Sequence, residues 1–186
     1  LEELGWSTRV IHRRVIDGEL VRAGPGIFRL GAAPVTPLGV VFAATALTGG
    51  VASHRTGGWL HEMIRHPAIV DVTVGPGSTH RPRRFTIDGI EVRVHATTSL
   101  PRDDVIEVNG VRTTSVARTA LGLAALVPRA MSARDLVEAI SLAIDRKAAT
   151  EAWLWWMLEH RRCQGRNGVR ALESALAELG RLGPTE

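Results

Sequence analysis

The sequence predicts an α+β fold: a small helix-and-hairpin unit over 1–33, then a mixed antiparallel sheet with a helical C-terminal part over 34–186. Three observations predict it. A basic helical stretch stops at Gly18 and runs straight into "ELVRAGPGIFRLG", two short apolar strands across a Gly-Pro-Gly turn. Two further hairpin signals, "DG" at 88–89 and "NG" at 109–110, each divide a pair of apolar runs. From Val116 onward the apolar residues recur at helical spacing instead.

Composition sets the outer limits. The chain has 186 residues, 45% of them hydrophobic, enough to bury a core. Thr45, Thr48, Gly49 and Gly50 interrupt the apolar stretch after Pro37, so no membrane span is expected, and no signal peptide is read at the start. The single cysteine, Cys163, excludes an internal disulfide and a cysteine-based zinc site, and suits a cytoplasmic protein. Of the 23 Lys+Arg, only Lys147 is lysine. Arginine forks match phosphate oxygens and guanine edges, which favours a nucleic-acid partner. GC-rich codon usage is the other source of such a bias, and the net charge is only +4.

In the first unit Ser7 reads as an N-cap, with a helix from Thr8 and Gly18 just past its end. Ile11 and Val15 share one face, expected to be core against Leu4 and Leu20. Arg9 and Arg13 lie on roughly the opposite face, with His12 and Ile16 beside them. Leu20 to Arg22 and Ile27 to Leu30 pair as a hairpin. This is the layout of a winged helix–turn–helix whose first helix is missing: the basic helix enters the major groove of double-stranded operator DNA and the hairpin is the wing. The expected contacts are Thr8, Arg9, His12, Arg13 and Arg14 from the helix, with Arg22 and Arg29 from the hairpin. An ordinary solvated helix face is the competing reading.

Pro34 and Pro37 mark a linker. Helices are expected at Leu38–Leu47 and from Ser53 to about Ile64, and strands at Ile69–Val74, Phe85–Ile87, Ile90–His95, Val105–Val108 and Val111–Thr113. Four more helices follow, at Val116–Leu126, Ala133–Arg146, Glu151 to about Arg161 and Val169 to about Gly180. Ser132 and Thr150 are placed to cap two of them.

Four segments then resemble, in the same order, those of the AbiEi-like (type IV toxin–antitoxin) antitoxin family: "STRVIHRRVIDGELVRAGPGIFRL", "ASHRTGGWLHE", "GVRTTSVARTALGLAAL" and "RNGVRALESALAEL". The resemblance implies a winged-helix domain before a mixed α/β domain, repression of the protein's own promoter, and action against a nucleotidyltransferase toxin. Many members add a nuclease domain resembling very-short-patch-repair endonucleases; the chain is expected to begin inside the second helix of its winged unit and to stop near where such a domain would start. Two departures stand out. Gly122 occupies the place of an Asp in "RTLLDLA"-type sequences, and Thr56-Gly57-Gly58 replaces Ser-Ala-Ala.

Catalytic readings find little footing, and no catalytic residue, metal or cofactor is expected. His61 and His66 in "HEMIRH" stand five apart, about 140° around a helix, too far to share a metal. His54 and His61 are expected to satisfy buried hydrogen bonds. "GPGSTH" lacks the lysine of a phosphate loop, "HRPRR" reads equally as a phosphate contact or a solvated loop, and Asp71 has no Glu-x-Lys partner. Cys163 lies beside Arg161 and Arg162 without a base. In "WLWW", Trp153 and Trp156 are expected to share a core face while Trp155 points elsewhere on the helix; the stretch reads either as core packing or, through Trp155 with Arg161, Arg162, Arg166 and Arg170, as the anchor of a protein interface. Oligomeric state is not fixed by the sequence. The rival functional readings are the targeting portion of a larger DNA nuclease and a pure protein-interaction module.

Overall fold

A computed structural model describes residues 5–79, 82–161 and 168–182. Leu4, His80, Arg81, Arg162, Cys163 and Arg166 lie outside the described residues, as does the side chain of Arg161. Seven α-helices and eight strands are described, in the α+β class.

Helix α1 (Thr8–Ile16) starts where Ser7 accepts a hydrogen bond from the Val10 amide at 3.4 Å, and carries Arg13 and Arg14 in its last turn, the favourable end of the helix dipole. Strands β1 (Leu20–Gly24) and β2 (Ile27–Leu30) form the antiparallel hairpin, with Leu20 opposite Leu30. The expected core face of α1 is only half realised. No residue of α1 is buried; Ile11 and Val15 are half-covered, because the helix packs chiefly on the narrow β1.

The hairpin does not stand alone. Helix α2 (Pro37–Thr48), capped by Thr36 with proline at its first turn, packs Val40, Val41 and Ala44 into one apolar cluster with Ala23 of the hairpin. Behind it runs a six-stranded mixed sheet in the order β5-β6-β4-β3-β8-β7. Its strands are β3 (Val51–Ala52), β4 (Ile69–Val74), β5 (Arg84–Ile87), β6 (Ile90–Ala96), β7 (Val105–Val108) and β8 (Val111–Thr114). The "DG" and "NG" hairpins close as read: Asp88 and Gly89, and Asn109 and Gly110, all have positive φ, the backbone a two-residue turn requires. The two-residue β3 and a 3₁₀ turn at Arg102–Asp104 have no counterpart in the sequence reading, being too short to show a period.

Helix α3 (His54–Leu60) stops, where His61 leaves helical geometry, four residues short of the expected end near Ile64. Helices α4 (Val116–Ala124), α5 (Ala133–Asp145), α6 (Glu151–Arg161) and α7 (Val169–Leu182) build a second core around Leu123, Leu136, Ile140, Leu154, Leu158, Leu172 and Leu176. A capping box between Ser132 and Asp135 starts α5. In α6 the buried stripe is Leu154, Met157 and Leu158, which turns Trp153 and Trp156 outward at 39% and 54% exposure. Trp155 is half-buried against the helical core and donates from Nε1 to Glu151 at 3.3 Å. This reverses the expected roles: the leucine and methionine spacing, not the tryptophans, fixes the rotation of α6.

Candidate functional site

Strand alternation sorts the sheet into an apolar and a polar face. In β4, Val70 and Val72 point into the cluster under α2, so Asp71 and Thr73 face the other way. The parallel register of β4 and β6 sets Asp71 opposite Arg93 and Thr73 opposite His95, and brings a second polar row alongside the first. Ser53, just past β3, and His54, Arg55 and Thr56 of α3 cover this polar face.

Asp71 is the hub. It is fully buried, and its carboxylate accepts from Arg55 Nε at 2.7 Å, from Arg55 Nη2 at 3.1 Å and from His95 Nε2 at 2.8 Å. Its own backbone amide donates to Thr56 Oγ1 at 2.7 Å. Burial pushes the carboxyl upward, but the bonds from His95 and Arg55 outweigh it and hold the pKa at about 2. Next to it the Thr73 hydroxyl donates to Ser53 Oγ at 2.7 Å, and Ser53 Oγ lies 3.0 Å from His54 Nδ1. His54 stacks on His95, and burial first, then the neighbouring His95, lowers its pKa to about 3. A neutral His54 accepts from Ser53 at Nδ1 and keeps Nε2–H as its donor. His61 hydrogen-bonds the Thr114 carbonyl through Nε2 at 2.7 Å, as the sequence reading expected of a core histidine, and burial lowers its pKa too.

Against this polar face α4 leaves a cavity of about 460 Å³, in the range that small ligands occupy. Arg118 of α4 forms one edge, held by Thr97 Oγ1 at 2.9 Å and the Ser99 carbonyl at 3.2 Å. Asp71, Arg55, Arg93, His95 and Arg118 were not marked as a site by the sequence reading. The signal was present in part: "IVDVTV" and "EVRVHA" alternate apolar with polar residues, which a strand with one solvent face also does. What joins them is the parallel register, and no local pattern encodes that.

The residues expected to touch DNA fall into two groups. Thr8, Arg9, His12 and Arg13 are exposed along α1, and Arg13 lies 3.7 Å from Asp17 with its side chain 85% exposed. Arg14 instead sits over the Trp6 ring at 4.3 Å and pairs with Glu19 at 2.7 Å, and Arg22 is exposed and lies over Phe28 at 5.0 Å. Arg29 turns inward. It pairs with Asp88 at 3.3 Å, hydrogen-bonds the Leu30 and Ala33 carbonyls, and ties the hairpin to the β5–β6 turn. The Asp88 amide donates to the Ala23 carbonyl at 2.7 Å across the same seam. Of the expected partner-binding residues, Arg170 is exposed on α7 and Trp155 is not free to act as an anchor.

Among the described residues no three His, Cys, Asp or Glu side chains gather as a metal site, and no helix is long and apolar enough to cross a membrane. No curated protein matches the chain. The family described as AbiEi antitoxin C-terminal domain matches residues 39–173, from the start of α2 into α7, so the six-stranded sheet, its polar face, the cavity and most of both cores lie within the match. That span is well over half of the chain, which therefore belongs to the AbiEi antitoxin family, the antitoxins of toxin–antitoxin systems.

Proposed function

We propose that the protein is a DNA-binding antitoxin of the cytoplasm that represses its own promoter and acts against a nucleotidyltransferase toxin, with residues 1–33 as its winged helix–turn–helix. The observation that carries this reading is the face of α1: Thr8, Arg9, His12 and Arg13 are all exposed on one short helix, and a two-stranded hairpin follows it at once. Exposed arginines with no buried counter-charge are free to meet phosphates or guanine edges. The hairpin is seated on the sheet by Ala23 and Arg29, so α1 is presented on a fixed support.

The test is a gel-shift series on the duplex upstream of the gene and on a random duplex of equal length. The wild-type chain is expected to prefer the upstream duplex, and the paired substitution Arg9→Ala with Arg13→Ala to abolish the preference. Equal binding of both duplexes by the wild type removes the repressor reading. A toxin arm is separate: co-expression with the neighbouring gene should relieve its toxicity, and persistence of growth arrest counts against the nucleotidyltransferase pairing.

A further inference from the structure

The cavity beneath α4 has a lining that differs from an ordinary surface cleft. His54, His95, Arg93, Arg118 and Arg129 all contribute to it, and no aspartate or glutamate does. The balancing carboxylates stand outside the wall: Asp71 under Arg55 and His95, Glu91 on Arg93 at 2.6 Å, and Asp104 4.0 Å from Arg118. Three arginines therefore line the space while the acids stay behind it, an arrangement that favours an anion.

Leu121, Ala125 and Leu126, in sequence between Arg118 and Arg129 on α4 and its following turn, add an apolar part to the lining. A ligand suited to both parts of the lining carries a compact anionic group at one end and a planar, weakly polar body at the other. Between them the hydroxyls of Ser53, Thr73 and Thr97 can meet a polyhydroxylated middle. From this lining we propose that the cavity is a binding site for a nucleoside monophosphate, its phosphate held by the arginines and its base against the apolar residues of α4.

Two features of the backbone agree. His54 sits at φ +49°, a left-handed conformation that a non-glycine residue adopts at a cost and that recurs at binding sites. Gly122 supplies the room beside it: a Cβ there would lie 3.3 Å from both the Cα and the ring Cγ of His54. The lining is also ordered in advance, since Arg118 is held by Thr97 and Ser99 and His95 by Asp71. The proposal is independent of DNA binding by α1.

Calorimetric titration of the full chain, without DNA, tests it. The ligands are AMP, GMP, CMP and UMP, with adenosine and inorganic phosphate as the two halves. At least one monophosphate is expected to bind one-to-one with Kd below about 1 mM, and each half at least about tenfold more weakly. Arg129→Ala and Ala130→Glu alter exposed positions at the mouth, so the fold should keep its melting temperature while each variant loses about tenfold or more in affinity. Binding of phosphate alone as tightly as any monophosphate, absence of binding by all four, or unchanged affinity in both folded variants would each overturn the assignment.

Discussion

His54 and His95 lie nearly face to face, ring centroids 3.9 Å apart and planes 20° from parallel. His95 bonds the Asp71 carboxylate, whereas His54 takes the hydroxyl of Ser53. A charge on His54 would meet both a dry environment and a second imidazole, which is why its pKa falls to about 3.

Stability should therefore fall on mild acidification. With the folded pKa near 3 and the ordinary value at 6.5, only the unfolded chain takes up this proton in between. The neutral ring's contribution is complete above pH 6.5 and is lost as pH drops through that window, at up to about 1.4 kcal/mol per pH unit. His61, also lowered, acts with the same sign. Urea denaturation between pH 7.5 and 4.5 should show a shallower slope for His54→Gln than for wild type. Identical slopes would mean that His54 charges in the folded protein.

Asp71 should be the costliest polar residue to remove. Asp71→Ala leaves Arg55, whose side chain is only 16% exposed, without its bidentate partner, and broken buried pairs of this kind cost about 3–5 kcal/mol. Asp71→Asn keeps one acceptor oxygen and should cost less. Chemical denaturation of the two variants gives the comparison directly; a loss below about 1 kcal/mol for Asp71→Ala would show that the network relaxes around the vacancy.

Strands with strong local signals were legible in the sequence, and the pairings between distant strands were not. Ile69–Val74 and Val105–Val108 came out with the boundaries expected, because apolar alternation and an "NG" turn are local. The α1 boundaries and the Ser7 cap were legible for the same reason. Helix α3 was overextended since the residues after Leu60 keep an apolar spacing while Glu62 turns to positive φ. The rotation of α6 was misread by weighing tryptophan as core, although Leu154 and Leu158 were the better index. Arg29 looked like a wing contact because Asp88, its partner, stands 59 residues away. The polar face was hidden by the same long range: Asp71 and His95 meet only through the parallel β4–β6 register.

Arg13 and Arg29 should consequently part in their effects. Arg13→Ala removes an exposed guanidinium and should leave the melting temperature within error, while costing about 1–3 kcal/mol of discrimination if that side chain reads a base. Arg29→Ala severs the pair with Asp88, whose side chains are 23% and 12% exposed, and frees the hairpin from the β5–β6 turn. A lower melting temperature by several degrees is expected, with DNA binding weakened alike on all sequences. Thermal melts paired with gel shifts separate the two. An Arg29→Ala protein as stable as wild type would return Arg29 to the surface contacts.

Gly57 and Gly122 should respond differently to a methyl group, because they face different neighbours. Both lie in helices, where replacing Gly by Ala favours the helical backbone by up to about 1 kcal/mol. At Gly57 that gain meets a hard contact. A Cβ would stand 2.8 Å from Thr119 Oγ1 and 3.3 Å from Thr114 Oγ1, two hydroxyls already bonded to each other at 2.7 Å in the seam between α3 and α4. Either the helices separate or that bond breaks, and overpacking of this kind costs about 1–3 kcal/mol. At Gly122 the nearest atoms belong to His54, at 3.3 Å, a tight contact that a shift of a few tenths of an ångström relieves. Gly57→Ala should therefore lower the melting temperature, whereas Gly122→Ala should leave it nearly unchanged and lose only room beside His54. Calorimetric melts of the two variants decide the matter. If Gly122→Ala proves the more damaging, the α3–α4 seam is looser than the Thr114–Thr119 bond implies and the His54 backbone is the rigid element.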